Sequence, residues 1–204
     1  WTMPQPSSPP DPVDLPVGPT LWDRCFTAAP LVMVGTRDGP GHNLAPKHMA
    51  MPFGLGGKFC FICTPRHRTY RNVRAAGQFT VSYPRPSALV EVSLAAAPRD
   101  GNDLKPALAA IPVFPARAID GVLVCDAHLW LECELERIVD VGDDHGLIVG
   151  RVVAAAAAET ARRDQDRDDA ALLADEPPLV YLHPGRVAAV RDSRSFPFPA
   201  GFTA

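Results

Sequence analysis

Short apolar, β-branched runs alternate with turn residues along most of the chain, the pattern of strands paired through tight connections. Residues 31–36 (LVMVGT) predict a strand, Asp38-Gly39-Pro40-Gly41 a turn, and residues 43–51 the returning partner. A Gly-rich loop at 54–57 leads into a strand over 59–64 (FCFICT). From Thr69 the period lengthens: Tyr70, Val73 and Ala76 share one helical face, and Gly77 supplies a left-handed stop. Residues 79–83 (FTVSY) resume the strand pattern. The stretch 87–96 reads as a helix, and the Pro-bearing segment 105–117 as a covering loop with a helical turn. Residues 129–139 alternate like a long strand, 140–146 form its turn, and 147–156 return antiparallel. Residues 161–174, rich in Ala, Arg, Asp and Leu, predict a solvated helix, and 179–182 and 187–190 are short closing strands around His183-Pro184-Gly185. Paired strands interrupted by one or two helices predict a mainly β fold, an antiparallel barrel with a few peripheral α-helices rather than a βαβ sheet.

Before residue 21 the periodicity stops. Residues 1–20 hold seven Pro, which predicts an extended arm; order begins with a short helical turn at 21–26, and 21–204 form a single domain. A formal net charge of -3 and the lack of a Lys/Arg block remove the basic face that duplex nucleic acid requires. No apolar run reaches the roughly 18 residues of a transmembrane helix, and the first residues lack a signal-peptide pattern. The expectation is a soluble, cytoplasmic protein that engages neither nucleic acid nor membrane. Five Cys in apolar segments suit reduced thiols better than a disulfide framework. Cys60 and Cys63 match a C-x-x-C spacing, but on a strand residues three apart point to opposite faces. Cys125 and Cys133 supply no second pair of that spacing, so Cys60, Cys63, Cys125 and Cys133 read as structural thiols and no metal is expected.

Neither G-x-G-x-x-G after a strand nor a P-loop occurs. The informative stretch is Asn43-Leu44-Ala45-Pro46-Lys47-His48-Met49-Ala50, followed one strand later by Cys63-Thr64-Pro65-Arg66-His67-Arg68-Thr69-Tyr70-Arg71-Asn72-Val73 and then Gly77-Gln78-Phe79-Thr80-Val81. These pieces resemble the flavin reductase-like family of the FMN-binding split barrel, which carries N-x-A-P, R-H-x-T-x-x-N-[IV] and G-x-F-x-V in this order. Leu131-Glu132-Cys133, the turn Gly142-Asp143-Asp144-His145, residues 150–153 and residues 178–182 continue the resemblance, which runs from about Pro30 to Val190. The chain departs from the family at Val187, where relatives often carry an aromatic residue, and in its Pro-rich arm.

The resemblance implies an antiparallel FMN-binding split β-barrel of Greek-key type. Such a barrel leaves a flavin half exposed, edges of this kind are usually covered, and the Pro-rich arm is suited to lying across a neighbour, so a homodimer is expected. The resemblance also implies an oxidoreductase in which bound FMN passes hydride or electrons from NADH or NADPH to an acceptor. The implied cofactor-binding residues are Asn43, Pro46, Lys47, His48, Met49, Ala50, Cys63, Thr64, Arg66, His67 and Thr69. The residues themselves agree on a phosphate: a helix start exposes N–H groups, Arg66 offers a planar fork, Thr69 a hydroxyl and Lys47 a point charge. Read without the family, Thr69 is an N-cap and Arg66 a surface residue. His48 and His67 read as hydrogen-bonding residues, and no side chain is assigned a catalytic role because the flavin supplies the reactive atom. Met49 and Phe53 read as core or flavin-wall contacts, and Tyr83, Trp130 and Tyr181 as core, with stacking on a ring the alternative for each. Two alternatives stay open: a flavin electron carrier without nicotinamide turnover, and a split barrel that binds haem or a deazaflavin.

Overall fold

A computed structural model describes residues 11–164, 166–199 and 201. The arm expected over 1–20 lies partly outside them; residues 11–20 are exposed and form neither helix nor strand. The strands are β1 (Thr27–Pro30), β2 (Val32–Asp38), β3 (Gly41–Lys47), β4 (Ala50–Pro52), β5 (Lys58–Cys63), β6 (Gln78–Pro84), β7 (Val113–Pro115), β8 (Val122–Val124), β9 (Ala127–Gly142), β10 (His145–Ala157), β11 (Leu179–His183) and β12 (Arg186–Ala189). The helices are α1 (Arg68–Ala76), α2 (Leu89–Ala96) and α3 (Asp169–Asp175).

Seven strands form one antiparallel sheet in the order β3-β2-β6-β9-β10-β5-β4. Its two edge strands are neighbours in the chain, separated only by His48 and Met49. A chain covers at most about 3.6 Å per residue, so the edges come within roughly 11 Å of each other and the sheet must curl. The result is a split barrel, mainly β with helices at its periphery, and the split lies at His48-Met49. The sequence predicts one strand over 43–51. The structure breaks it there because β3 and β4 serve opposite edges.

The β2 run is apolar at consecutive positions because both of its faces are covered. Val32 and Val34 enter the barrel core with Phe59, Phe61, Phe79, Val81 and Ile148, while α1 closes one end with Val73. Leu31, on the approach to β2, and Met33 face outward into a second cluster with Leu44, Val92, Ala95 and Val124. Buried amides tie α1 to this sheet: Asn72 Nδ2 donates to Thr36 Oγ1 at 3.1 Å, and Asn43 Nδ2 to Thr69 Oγ1 at 3.4 Å. Thr69 is therefore not the helix cap. His67 holds that position without a side-chain cap hydrogen bond, and Gly77 ends the helix at φ 69°. The long β9–β10 hairpin carries register shifts at three places, one between Val149 and Gly150.

Three further expectations change. The helix expected over 161–174 is reduced to α3, because Asp168 Oδ1 accepts the Ala171 N–H at 2.8 Å and so starts the helix late. The stretch 87–96 divides into a 3-10 turn, Pro86–Ala88, and α2. Cys60, Cys63 and Cys133 are buried, but Cys125 is exposed, against the apolar setting expected for it. Among the described residues no helix is long and apolar enough to cross a membrane.

Candidate functional site

The split and the start of α1 lie side by side because β3 runs into His48 while Cys63-Thr64 leaves β5 for the helix. A groove of about 460 Å³ opens there, floored by Asn43, Ala45, Pro46 and Lys47 of β3. One wall is Arg66, His67, Arg68, Thr69 and Arg71; the other is Ala95 and Ala96 of α2 with Arg99 and Lys105 from the following loop. Six of these side chains are cationic, and among the described residues no carboxylate lines the groove. Three carboxylates meet the cations from outside. Arg99 reaches Asp38 at 2.5 Å, Arg68 pairs with Asp38 at 3.6 Å and with Asp103, and Arg66 lies 3.0 Å from Asp144. Six cations against three carboxylates leave an excess of positive charge facing the groove.

A smaller depression of about 200 Å³ continues from the groove into the split, between Pro46, Lys47, His48 and Met49 on one lip and Ile62, Cys63 and Thr64 on the other. Cys63 Sγ lies 4.0 Å from His67 Nδ1. Burial pushes the Cys63 thiol up, with Lys47 acting in the opposite direction. Burial first, then Lys47, Arg66 and His145, lowers His67; burial, His183 and Lys47 lower His48. Both imidazoles are accordingly held toward the neutral form. His48 stacks on Tyr181 at a centroid distance of 4.3 Å, and His183 Nε2 lies 3.2 Å from Asp23 Oδ1.

Of the eleven residues singled out in the sequence, ten line the groove or the depression. Ala50 does not: it is buried in the barrel core. Arg66 is largely exposed and already paired with Asp144, so its guanidinium is less committed to the groove than its place in the motif suggests. Asn43 is partly structural, since its Oδ1 accepts from Arg99 at 3.0 Å while its amide donates to Thr69. Tyr181 is half-buried and lies at the site rather than wholly in the core, and its hydroxyl accepts the Gly185 N–H at 2.8 Å. Met49 is exposed.

The sequence reading missed Arg68, Arg71, Arg99 and Lys105. Arg68 and Arg71 flank Thr69 within the same motif and were available to it. Arg99 and Lys105 come from a loop without periodicity and reach the groove only through tertiary contacts. Lys105 Nζ donates to Leu44 O at 3.0 Å and to Ala95 O. Burial, with Arg99 and Lys47 adding repulsion, lowers this ammonium to about 8.

The fold is similar to that of flavoredoxin from Methanosarcina acetivorans, with a TM-score of 0.74 at 16% identity over 93% of this chain and 98% of that one. It is equally similar to flavoredoxin of Desulfovibrio vulgaris (Miyazaki F), with a TM-score of 0.74 at 20% identity over 93% and 100%. An FMN-binding protein from Thermus thermophilus, solved with bound 1-cyclohex-2-enone, gives 0.72 at 19% identity over 92% and 99%. No curated protein matches the sequence. The flavin reductase like domain matches residues 24–190, more than half of the chain. With the split barrel and the cationic groove at its split, this match places the chain in the flavin reductase-like family.

Proposed function

We propose that the chain is an FMN-binding oxidoreductase that takes hydride from NADH or NADPH and passes electrons to a second substrate. The observation that carries this reading is the groove of six cations with no lining carboxylate among the described residues, continuous with the depression at the barrel split. A phosphate dianion fits the groove. Lys47, Arg71 and Thr69 face it, and Arg66 reaches it by leaving an exposed ion pair worth at most about 1 kcal/mol. The uncapped start of α1 favours the same charge. Pro46 to Met49 and Cys63-Thr64 hold the ring system beside the split, and neutral His48 and His67 orient it by hydrogen bonding. The flavin supplies the hydride acceptor; the protein binds, orients and excludes water.

The chain acts as a homodimer in the cytoplasm on this reading. Likeness to two flavoredoxins supports a second reading, an electron carrier without nicotinamide turnover of its own. Titration with FMN followed by anaerobic mixing with NADH or NADPH separates the two. Rapid loss of the visible flavin band with either nucleotide supports the oxidoreductase. A bound flavin that neither nucleotide bleaches makes the chain a carrier, and failure to bind FMN overturns both.

A further inference from the structure

On the far side of Pro46 lies a second space of about 410 Å³, within the roughly 300–1,000 Å³ of small-molecule sites. One wall is a single face of α2, where Leu89, Val92, Ser93 and Ala96 follow helical spacing; the other is Tyr181 and Val187 of the β11–β12 hairpin. The slot is flanked by the stacked rings of His48 and Tyr181, which favour a flat aromatic ligand. Pro46 and Ala96 line both this slot and the cationic groove, so the two spaces meet at those residues. Beside that saddle stand Lys105, hydrogen-bonded to Ala95 O, and Arg99, three residues beyond Ala96. Among the described residues Lys105 has no carboxylate partner, and repulsion from Arg99 and Lys47 adds to its burial in destabilising its charge.

We propose that the slot binds a planar aromatic ring bearing a carboxylate directly on the ring. The ring lies between α2 and Tyr181, and the carboxylate crosses the Pro46–Ala96 saddle toward Lys105 and Arg99. The assignment rests on the flavin reading of the neighbouring groove and names the class of compound presented to the flavin. Arg99 already has Asp38, but a neutral arene would leave Lys105, which has no carboxylate partner among the described residues, without a counter-charge from the slot side. The nicotinamide ring fits less well, because a ribose separates it from its nearest phosphate whereas slot and cations adjoin directly.

Calorimetric titration of the FMN-loaded protein with 2-naphthoate and with its neutral isostere 2-naphthamide tests this. Naphthoate should bind at least about ten-fold more tightly, the equivalent of one charge-assisted hydrogen bond. Ser93→Phe, at an exposed position, fills the slot and should weaken both ligands while FMN affinity is retained. Ala96→Glu places a carboxylate on the saddle and should weaken naphthoate but not naphthamide. Equal binding of the two compounds overturns the proposal, as does a Ser93→Phe variant that binds naphthoate like the parent. Loss of NADH or NADPH binding in Ser93→Phe with naphthoate binding intact would give the slot to the nicotinamide and also overturn it. The same titrations without flavin keep the two readings apart. Naphthoate binding with this pattern in a chain that fails to take up FMN upholds the slot and removes the flavin reading, whereas FMN uptake without discrimination between the ligands removes only the slot.

Discussion

On the proposed FMN reading Arg66 has two competing partners. Its exposed pair with Asp144 contributes at most about 1 kcal/mol, whereas a charge-assisted hydrogen bond to phosphate contributes roughly 1.5–3 kcal/mol, so the phosphate wins when present. Arg66→Ala should weaken FMN by about ten-fold or more and leave riboflavin unchanged, because riboflavin lacks the phosphate. Asp144→Asn frees the guanidinium in advance and should tighten FMN by up to about five-fold. Fluorescence titration of both flavins checks these outcomes; an unchanged FMN affinity in Arg66→Ala would move the phosphate toward Arg71 and Lys47. Lys105 gives the groove its pH dependence. Its ammonium is lowered from 10.5 to about 8, so the groove loses one positive charge as pH rises through about 8, and bound phosphate shifts that loss upward. FMN affinity should therefore fall above that pH while riboflavin affinity stays flat, and Lys105→Met should remove the step. For folding the sign is opposite. The cost of holding the buried ammonium is fully present below about 8 and disappears between there and 10.5, where the unfolded chain binds the extra proton.

Elements whose residues carry their own periodicity were legible in the sequence: β2, β5, α1 and β6 appear within a residue or two of their predicted ends. Those defined by partners far away in the chain were not. β1 is Thr27-Ala28-Ala29-Pro30, of modest strand propensity, and exists through pairing with β11. β8 is only three residues long, held by Thr80 Oγ1 donating to Val122 O at 2.6 Å and by the Val124 N–H donating to Ser82 Oγ at 3.0 Å. The half of the site built from one motif was equally legible, while the half contributed by Arg99 and Lys105 depends on how α2 and its loop fold over β3. Gly150 shows a constraint of the long hairpin: a Cβ there would come within 2.5 Å of the Phe79 ring. Gly150→Ala therefore overpacks the barrel core and should cost about 1–3 kcal/mol, seen as a lower denaturant midpoint with an unchanged slope. A midpoint equal to that of the parent would show that Phe79 can move aside.

At the scale of the whole molecule the curled sheet leaves one unresolved surface. β4 pairs with β5 on one side only, and its other edge faces the split. Met49 and Met51 are more than half exposed beside it, and Leu55 of the following loop is fully exposed. On the opposite lip α2 already packs over β3, so the β3 edge is covered within the chain, although Leu89 and Val90 of α2 are themselves exposed. Exposed edges and apolar patches of this kind are ordinarily covered, and a second copy of the chain provides a self-complementary cover under two-fold symmetry. A stable interface of this type buries roughly 1,200–2,000 Å² in total, more than one short strand supplies, so the loop after β4 and part of the neighbouring surface should join it. Light scattering at micromolar concentration with FMN present should then give twice the mass of one chain. Met51→Glu should shift the protein toward monomer. Met51 lines neither the groove nor the depression, so a simultaneous loss of FMN affinity in that variant would mean that the partner completes the pocket. A parent chain that scatters as a monomer while binding FMN tightly would show that one curled sheet suffices for the site and that the exposed methionines serve something else.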